Sequence, residues 1–319
     1  MSTNTNTFKL PLAFLRLVRW PNLVFIAITQ ILFVYCIIQP VFHSAGVIPN
    51  IHGHFFVLLM LSSVLIAAAG YIINDYFDLN IDQVNKPDKL IVEKIINRRW
   101  VILWHLLLSA IGVLLFLYID LKTNARFLSI ANTGCFLLLF LYSVSLKKKL
   151  LIGNVVISLL TAWVILVITW AETSNLLQTI AIGSYTEKIT RITFLYAGFA
   201  FVISLIREVV KDMEDIEGDR KYGCRTMPIV WGILASKIFV AVWLTVLIAA
   251  LSIVQFYVLQ FKWWWSAVYC IIFIIIPLIF IFMKLYQANT TKDFHQLSTY
   301  IKLAMFTGIL SMVFFRFYL

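Results

Sequence analysis

A chain of 319 residues that is 62% hydrophobic and 13% charged cannot clothe a water-soluble surface, which takes roughly 25% charged residues. The formal net charge of +11 is distributed along the chain in the manner of membrane topology, not as one basic face, so nucleic-acid binding is excluded. Cys36, Cys135, Cys224 and Cys270 lie far apart without a CxxC pair, and the five histidines are scattered, which excludes a disulfide framework and a zinc site.

Apolar stretches of membrane-spanning length recur throughout. Nine are expected, at approximately 23–39, 55–73, 101–119, 127–144, 151–170, 192–206, 238–259, 264–283 and 301–315, the sixth and ninth being short. Period-2 alternation is absent, so the spans are helical and the fold class is all-α, a polytopic membrane protein forming one domain over 1–319. Met1 to Thr7 is polar and has no cleavable-signal layout, so the first span is expected to stay as an anchor. With the N-terminus in the cytoplasm, twenty of the 26 Lys and Arg fall on the inner side, which predicts N-in, C-out. Trp263–Trp265 read as an interfacial aromatic belt, and Pro87 as a helix stop.

Of the 15 acidic residues, most fall in two short windows, 75–93 and 208–219, after the second and sixth spans and on the same expected side. In the first, Asn74, Asp75, Asp78 and Asp82 share a helical arc of roughly 100°. In the second, Asp212, Asp215 and Asp219 share about 60° if helical, joined by Glu208 one turn earlier. Both windows repeat an i, i+3, i+7 spacing. Clustered carboxylates need a counter-cation, and Mg²⁺, which takes one or two carboxylates plus substrate phosphates, is the expected cofactor. Two such clusters facing a diphosphate would neutralise a leaving group, while an isoprenoid tail dissolves among the helices.

Cations flank both windows: Lys86, Lys89, Arg98 and Arg99 after the first, Arg207, Lys211, Arg220, Lys221 and Arg225 around the second. These, with Lys147, are placed to hold phosphate oxygens. Tyr71, Tyr76, Phe77 and Tyr142 are candidates to shield a carbocation. The run Lys147–Lys149 also reads as an orientation signal. Asn154 suits equally a neighbouring helix or a cavity. A secondary transporter is the alternative from another class, although its acids would sit at mid-bilayer and not at span ends. A structural or lipid-binding protein would have no use for a repeated acid triplet.

These residues resemble the UbiA prenyltransferase superfamily over essentially the whole chain. Asn74 to Asp82 matches its NDxxDxxxD motif, followed by Lys86-Pro87, and Asp212, Asp215 and Asp219 match its second motif. Gly223 to Pro228, the opening segment Arg16 to Asn22, and Tyr142-Ser143 with Lys147 also look like that family. The resemblance implies about nine transmembrane helices around a central cavity. It implies that Asp78, Asp82, Asp215 and Asp219 are catalytic. One Mg²⁺ would be held by Asn74, Asp78 and Asp82 with Asp75, and another by Asp215 and Asp219 with Asp212. Substrate contacts would come from Arg19, Asn22, Lys86, Tyr142, Ser143, Lys147, Asn154 and Lys211.

The second window most resembles the branch that moves a geranylgeranyl group from its diphosphate to a glycerol-phosphate lipid. An aromatic acceptor is the other possibility that the family offers. The stretch Leu90 to Lys94 departs from the family's usual continuation. Prenyl diphosphate, a lipid or aromatic acceptor and the membrane are the expected partners; oligomeric state leaves no mark in the sequence.

Overall fold

The computed structural model describes residues 9–87, 90–123, 125, 127–174 and 184–318. The expectations for Met1–Thr7 and Lys89 lie outside the described residues. Regular structure among those described is helical, apart from one bridge between Val92 and Ile96. A short amphipathic helix α1 (Lys9–Leu17) precedes α2 (Trp20–Ser44), α3 (His54–Asn85), α4 (Arg98–Thr123) and α5 (Leu128–Val144). Then come α6 (Ile152–Thr173), α7 (Ser184–Glu214), α8 (Gly232–Leu259), α9 (Trp264–Gln287) and α10 (Thr291–Tyr318). Eight of these are long and apolar enough to cross a bilayer; α5, with 17 residues, is shorter.

Helices expected from hydropathy at 192–206 and 301–315 run much further, as α7 and α10. Charged residues at their ends, such as Glu187 and Arg191 in α7 or Lys292 and Asp293 in α10, lower the hydropathy but continue the helix. Proline accounts for two local distortions. Pro40 in α2 and Pro277 in α9 lack an amide hydrogen for the i−4 carbonyl. Each follows a π-helical turn, Val34–Ile38 and Ile271–Ile275, that absorbs the missing bond without ending the helix.

Two apolar clusters hold the bundle. One joins α2, α3, α4 and α6 through Phe33, Ile37, Leu59, Phe116 and Ile168; the other joins α7, α8, α9 and α10 through Ile206, Leu244, Leu278 and Ile301. The outer surface stays apolar, with Leu121, Phe256 and Trp265 at least 73% exposed, the pattern of helices solvated by lipid. At the end remote from the acidic windows, buried Glu172 accepts hydrogen bonds from the backbone amides of Asn50 (2.7 Å) and Ile51 (2.9 Å), closing the α2–α3 loop.

Two adjoining cavities lie between the clusters. A polar chamber of about 240 Å³ includes Arg19, Asn22, Tyr71, Asn74, Tyr142 and Lys211 in its wall. An apolar chamber of about 180 Å³ shares Phe25, Ile26, Thr161, Val164 and Met305 with it and reaches Trp263 and Phe315. Trp263 thus faces inward, edge-on to Phe315 at 5.4 Å, while Trp264 and Trp265 are the exposed members of the expected aromatic belt.

Candidate active site

The last turns of α3 carry the first acidic window as one unbroken helix, so its residues share the expected face. Asn74 donates to Asp78 Oδ2 (2.7 Å), and the ammonium of Lys147 bonds Asp78 Oδ1 (2.6 Å) and Asn74 Oδ1 (3.3 Å). Lys147 is well buried, its side chain 9% exposed, whereas Lys148 and Lys149 face outward. Only the latter two retain the character of an orientation signal. Lys147 sits on the tight turn between α5 and α6, and Gly153 permits it: a Cβ there would lie 2.7 Å from the Lys147 Cα.

Arg19, in the left-handed conformation (φ 52°) between α1 and α2, reaches Asp75 Oδ1 at 2.7 Å and lies 5.2 Å from the centre of the Tyr71 ring. A non-glycine residue in that conformation costs about 1–3 kcal/mol, offset here by the ion pair and the cation–π contact.

The second window departs from the expectation of one helical arc. Helix α7 ends at Glu214, and a separate short helix, Ile216–Lys221, carries Asp219. The cause lies on α3. The Asn85 side chain donates to the Asp215 carbonyl (3.0 Å) and accepts from the Gly218 amide (2.8 Å), giving that amide a partner outside α7. The approach is so close that a Cβ on Gly218 would sit 2.6 Å from the Asn85 amide group. Asn85 therefore ties the two acidic windows together, and no periodicity in the sequence marks it. Lys86 adds an ion pair to Asp215 (2.7 Å).

The remaining expected residues divide. Asn154 donates to Asp212 Oδ2 (2.8 Å), so it serves a neighbouring helix. Asn22 accepts from Lys302 (2.8 Å), and Lys211 pairs with Glu208 (2.7 Å), all lining the polar chamber except Asn154 and Asp212. Tyr71 and Tyr142 line it too. Ser143 does not: it is buried, and its hydroxyl donates to the Leu139 carbonyl one turn back. Tyr76 turns toward Arg98, and Phe77 packs edge-on to Phe140. Glu214 bonds His295 (2.8 Å). The divergent stretch after Pro87 folds into a turn at Glu93 that buries Val92 and Ile96 near α1.

Electrostatics where the two windows meet favour cation binding. Burial, reinforced by Asp215 and Asp78, pushes the Asp219 carboxyl up to about 7. Burial also raises Asp215 above the ordinary carboxylate range despite Lys86. Burial opposes the charge on Lys86, but the adjacent Asp215 carboxylate prevails and holds its ammonium above the usual lysine range. Among the described residues, no group of three or more His, Cys, Asp or Glu is placed to hold an ion unaided. The donors are hard oxygens offered one or two at a time, which suits Mg²⁺ that takes its other ligands from phosphate and water.

A membrane-embedded helical bundle with two joined acidic windows beside a polar chamber defines a class, and the family comparison agrees. The chain belongs to the UbiA prenyltransferase family, whose model matches residues 18–309. It is thus a membrane prenyltransferase. The digeranylgeranylglyceryl phosphate synthase of Methanosphaera stadtmanae is 29% identical over 268 residues, 83% of this chain and 89% of that one. That of Methanothermobacter thermautotrophicus is 33% identical over 212 residues, 66% of this chain and 68% of that one.

Among solved structures, one of digeranylgeranylglyceryl phosphate synthase in membranes has TM-score 0.61 at 23% identity, covering 94% of this chain and 98% of its own. A UbiA homolog from Archaeoglobus fulgidus bound to DMAPP and Mg²⁺ has TM-score 0.58 at 16% identity, covering 92% and 98%. Both share the fold.

Proposed function

We propose that this chain transfers a geranylgeranyl group from geranylgeranyl diphosphate to the glycerol hydroxyl of geranylgeranylglyceryl phosphate, releasing diphosphate. The observation that carries it is the joining of two acidic windows through Asn85, each partnered by a lysine, beside a polar chamber whose wall includes Asn74 and Glu208 and which adjoins an apolar one. The names of the relatives at 29% and 33% identity support the acceptor.

In this reading Asn74, Asp78 and Asp82, with Asp75, hold one Mg²⁺, and Asp215 and Asp219, with Asp212, hold another. Mg²⁺, when bound, neutralises the diphosphate and makes it a better leaving group. Lys147 and Lys86, already lodged against Asp78 and Asp215, turn toward phosphate oxygens and retain the departing anion. The bond from C1 to the diphosphate oxygen breaks as the bond from C1 to the acceptor hydroxyl oxygen forms, and the hydroxyl proton leaves on diphosphate. Tyr142 and Tyr71 present π faces to the positive charge at C1 and, with the apolar walls, keep water away. The lysine and arginine distribution supports a cytoplasmic side for the two windows.

A competition assay tests the acceptor. With Mg²⁺ and labelled geranylgeranyl diphosphate, the detergent-purified protein is offered geranylgeranylglyceryl phosphate and a hydroxybenzoate together. Label is expected in the glycerol lipid; label in the aromatic product alone would overturn the acceptor and keep the chemistry.

A further inference from the structure

The polar chamber holds a second group of cations that the diphosphate site does not use. Arg207 and Lys211, one turn apart on α7, meet Lys302, which extends from α10. All three line the chamber, and Arg207 is close enough for its charge to act on both of the others. Their compensation is incomplete. Arg207 and Lys211 share one oxygen of Glu208, at 3.3 Å and 2.7 Å. The polar partner of Lys302 is the neutral amide oxygen of Asn22. Arg207 Nε is buried with no hydrogen-bond partner among the described residues. Arg19, in the same wall, is matched by Asp75. Three cations against one carboxylate leave an excess of about two positive charges in a low-dielectric cavity, where unpaired charge is costly.

We infer that Arg207, Lys211 and Lys302, with Asn22, form a subsite for the phosphate monoester of the acceptor lipid, separate from the diphosphate site at Asp78 and Asp215. A phosphate monoester carries a charge of about −2 near neutral pH, which matches the excess; a benzoate carboxylate brings half of that. Lysine and arginine donors are the usual phosphate ligands. Asn74 and Tyr142 stand in the same chamber, so a headgroup held by the three cations keeps its glycerol hydroxyl within the space that leads to the diphosphate site. Met305, one helical turn beyond Lys302, is shared with the apolar chamber, which gives the lipid stem a continuous path. This inference rests on the proposed glycerol-phosphate acceptor.

The test is acceptor kinetics on the full chain in detergent, with geranylgeranylglyceryl phosphate and its phosphate-free alcohol as alternative acceptors. Lys302→Met keeps the apolar stem and removes the charge; Arg207→Gln and the conservative Lys302→Arg complete the set. For Lys302→Met and Arg207→Gln, the KM for the phosphorylated acceptor rises about tenfold to a hundredfold. The KM for geranylgeranyl diphosphate stays put, which also reports an intact fold, and the preference over the alcohol shrinks by the same factor. Lys302→Arg restores it. An unchanged acceptor KM, or a rise confined to the diphosphate substrate, would overturn the subsite and leave the proposed reaction standing. A wild-type protein that ignores the phosphorylated lipid would overturn both.

Discussion

Asp78→Ala and Asp215→Ala each lower prenyl transfer by at least about a thousandfold, while the variants still insert and remain folded. The size follows from what each carboxylate touches. Asp78 accepts from Asn74 and from the well-buried Lys147, so its loss removes the oxygen ligand proposed for Mg²⁺ and leaves an ammonium without its counter-charge. Asp215 does the same for Lys86 on the other window. Neither side chain belongs to the apolar clusters that hold the bundle, so the uncompensated lysine lowers stability without dismantling the core, and unfolding measured beside turnover separates the two effects. Asp78→Asn separates the two contributions: it keeps the shape and a carbonyl ligand but not the charge, and falls nearly as far. Turnover with labelled geranylgeranyl diphosphate, alongside thermal unfolding, checks both; full activity in either alanine variant would remove that window from the site.

Chelation of divalent metal abolishes transfer, and the metal requirement steepens in acid. Asp219 carries its proton up to a pH of about 7, because burial and the neighbouring Asp215 and Asp78 disfavour its charge. A cation binding there must displace that proton. The sign is therefore fixed: below about pH 7 the apparent affinity for the metal falls by up to about tenfold per pH unit, and above it the affinity levels off. The same raised carboxyl means that the metal-free protein loses stability as pH climbs from the ordinary aspartate range through about 7, because the unfolded chain gives up its proton first. Mn²⁺ resonance on the protein without prenyl diphosphate reads the affinity, so the titration of the substrate's own phosphates does not enter. An affinity flat across about pH 6 to 8 would contradict the role of Asp219.

Much of this was legible in the chain because its signals are periodic. Hydropathy marks the helices, and the i, i+3, i+7 spacing of Asp75, Asp78 and Asp82 holds because α3 continues unbroken through them. The matching triplet in the second window looked the same but is split at Asp215. The split depends on the Asn85 side chain, 130 residues away in sequence, and a lone asparagine carries no periodic mark. Lys302 carries no mark in the sequence beyond a positive charge near a span end, and such a lysine serves topology by default. Only the packing of α10 beside α2 shows that it faces Asn22 in the chamber. Ser143, a substrate contact in the expectation from the family resemblance, is not in the chamber wall; it follows Tyr142 on the helix, points elsewhere, and its hydroxyl bonds back to Leu139.

The most direct test of the central claim, that the two windows form one diphosphate site, is the location of metal in the protein loaded with Mn²⁺ and a non-reactive thio-analogue of geranylgeranyl diphosphate, by anomalous diffraction. Ions are expected at both windows, one against Asn74, Asp78 and Asp82 and the other against Asp215 and Asp219, with the diphosphate between them and its chain running into the bundle. Metal at one window alone, or a diphosphate bound away from both, would contradict it.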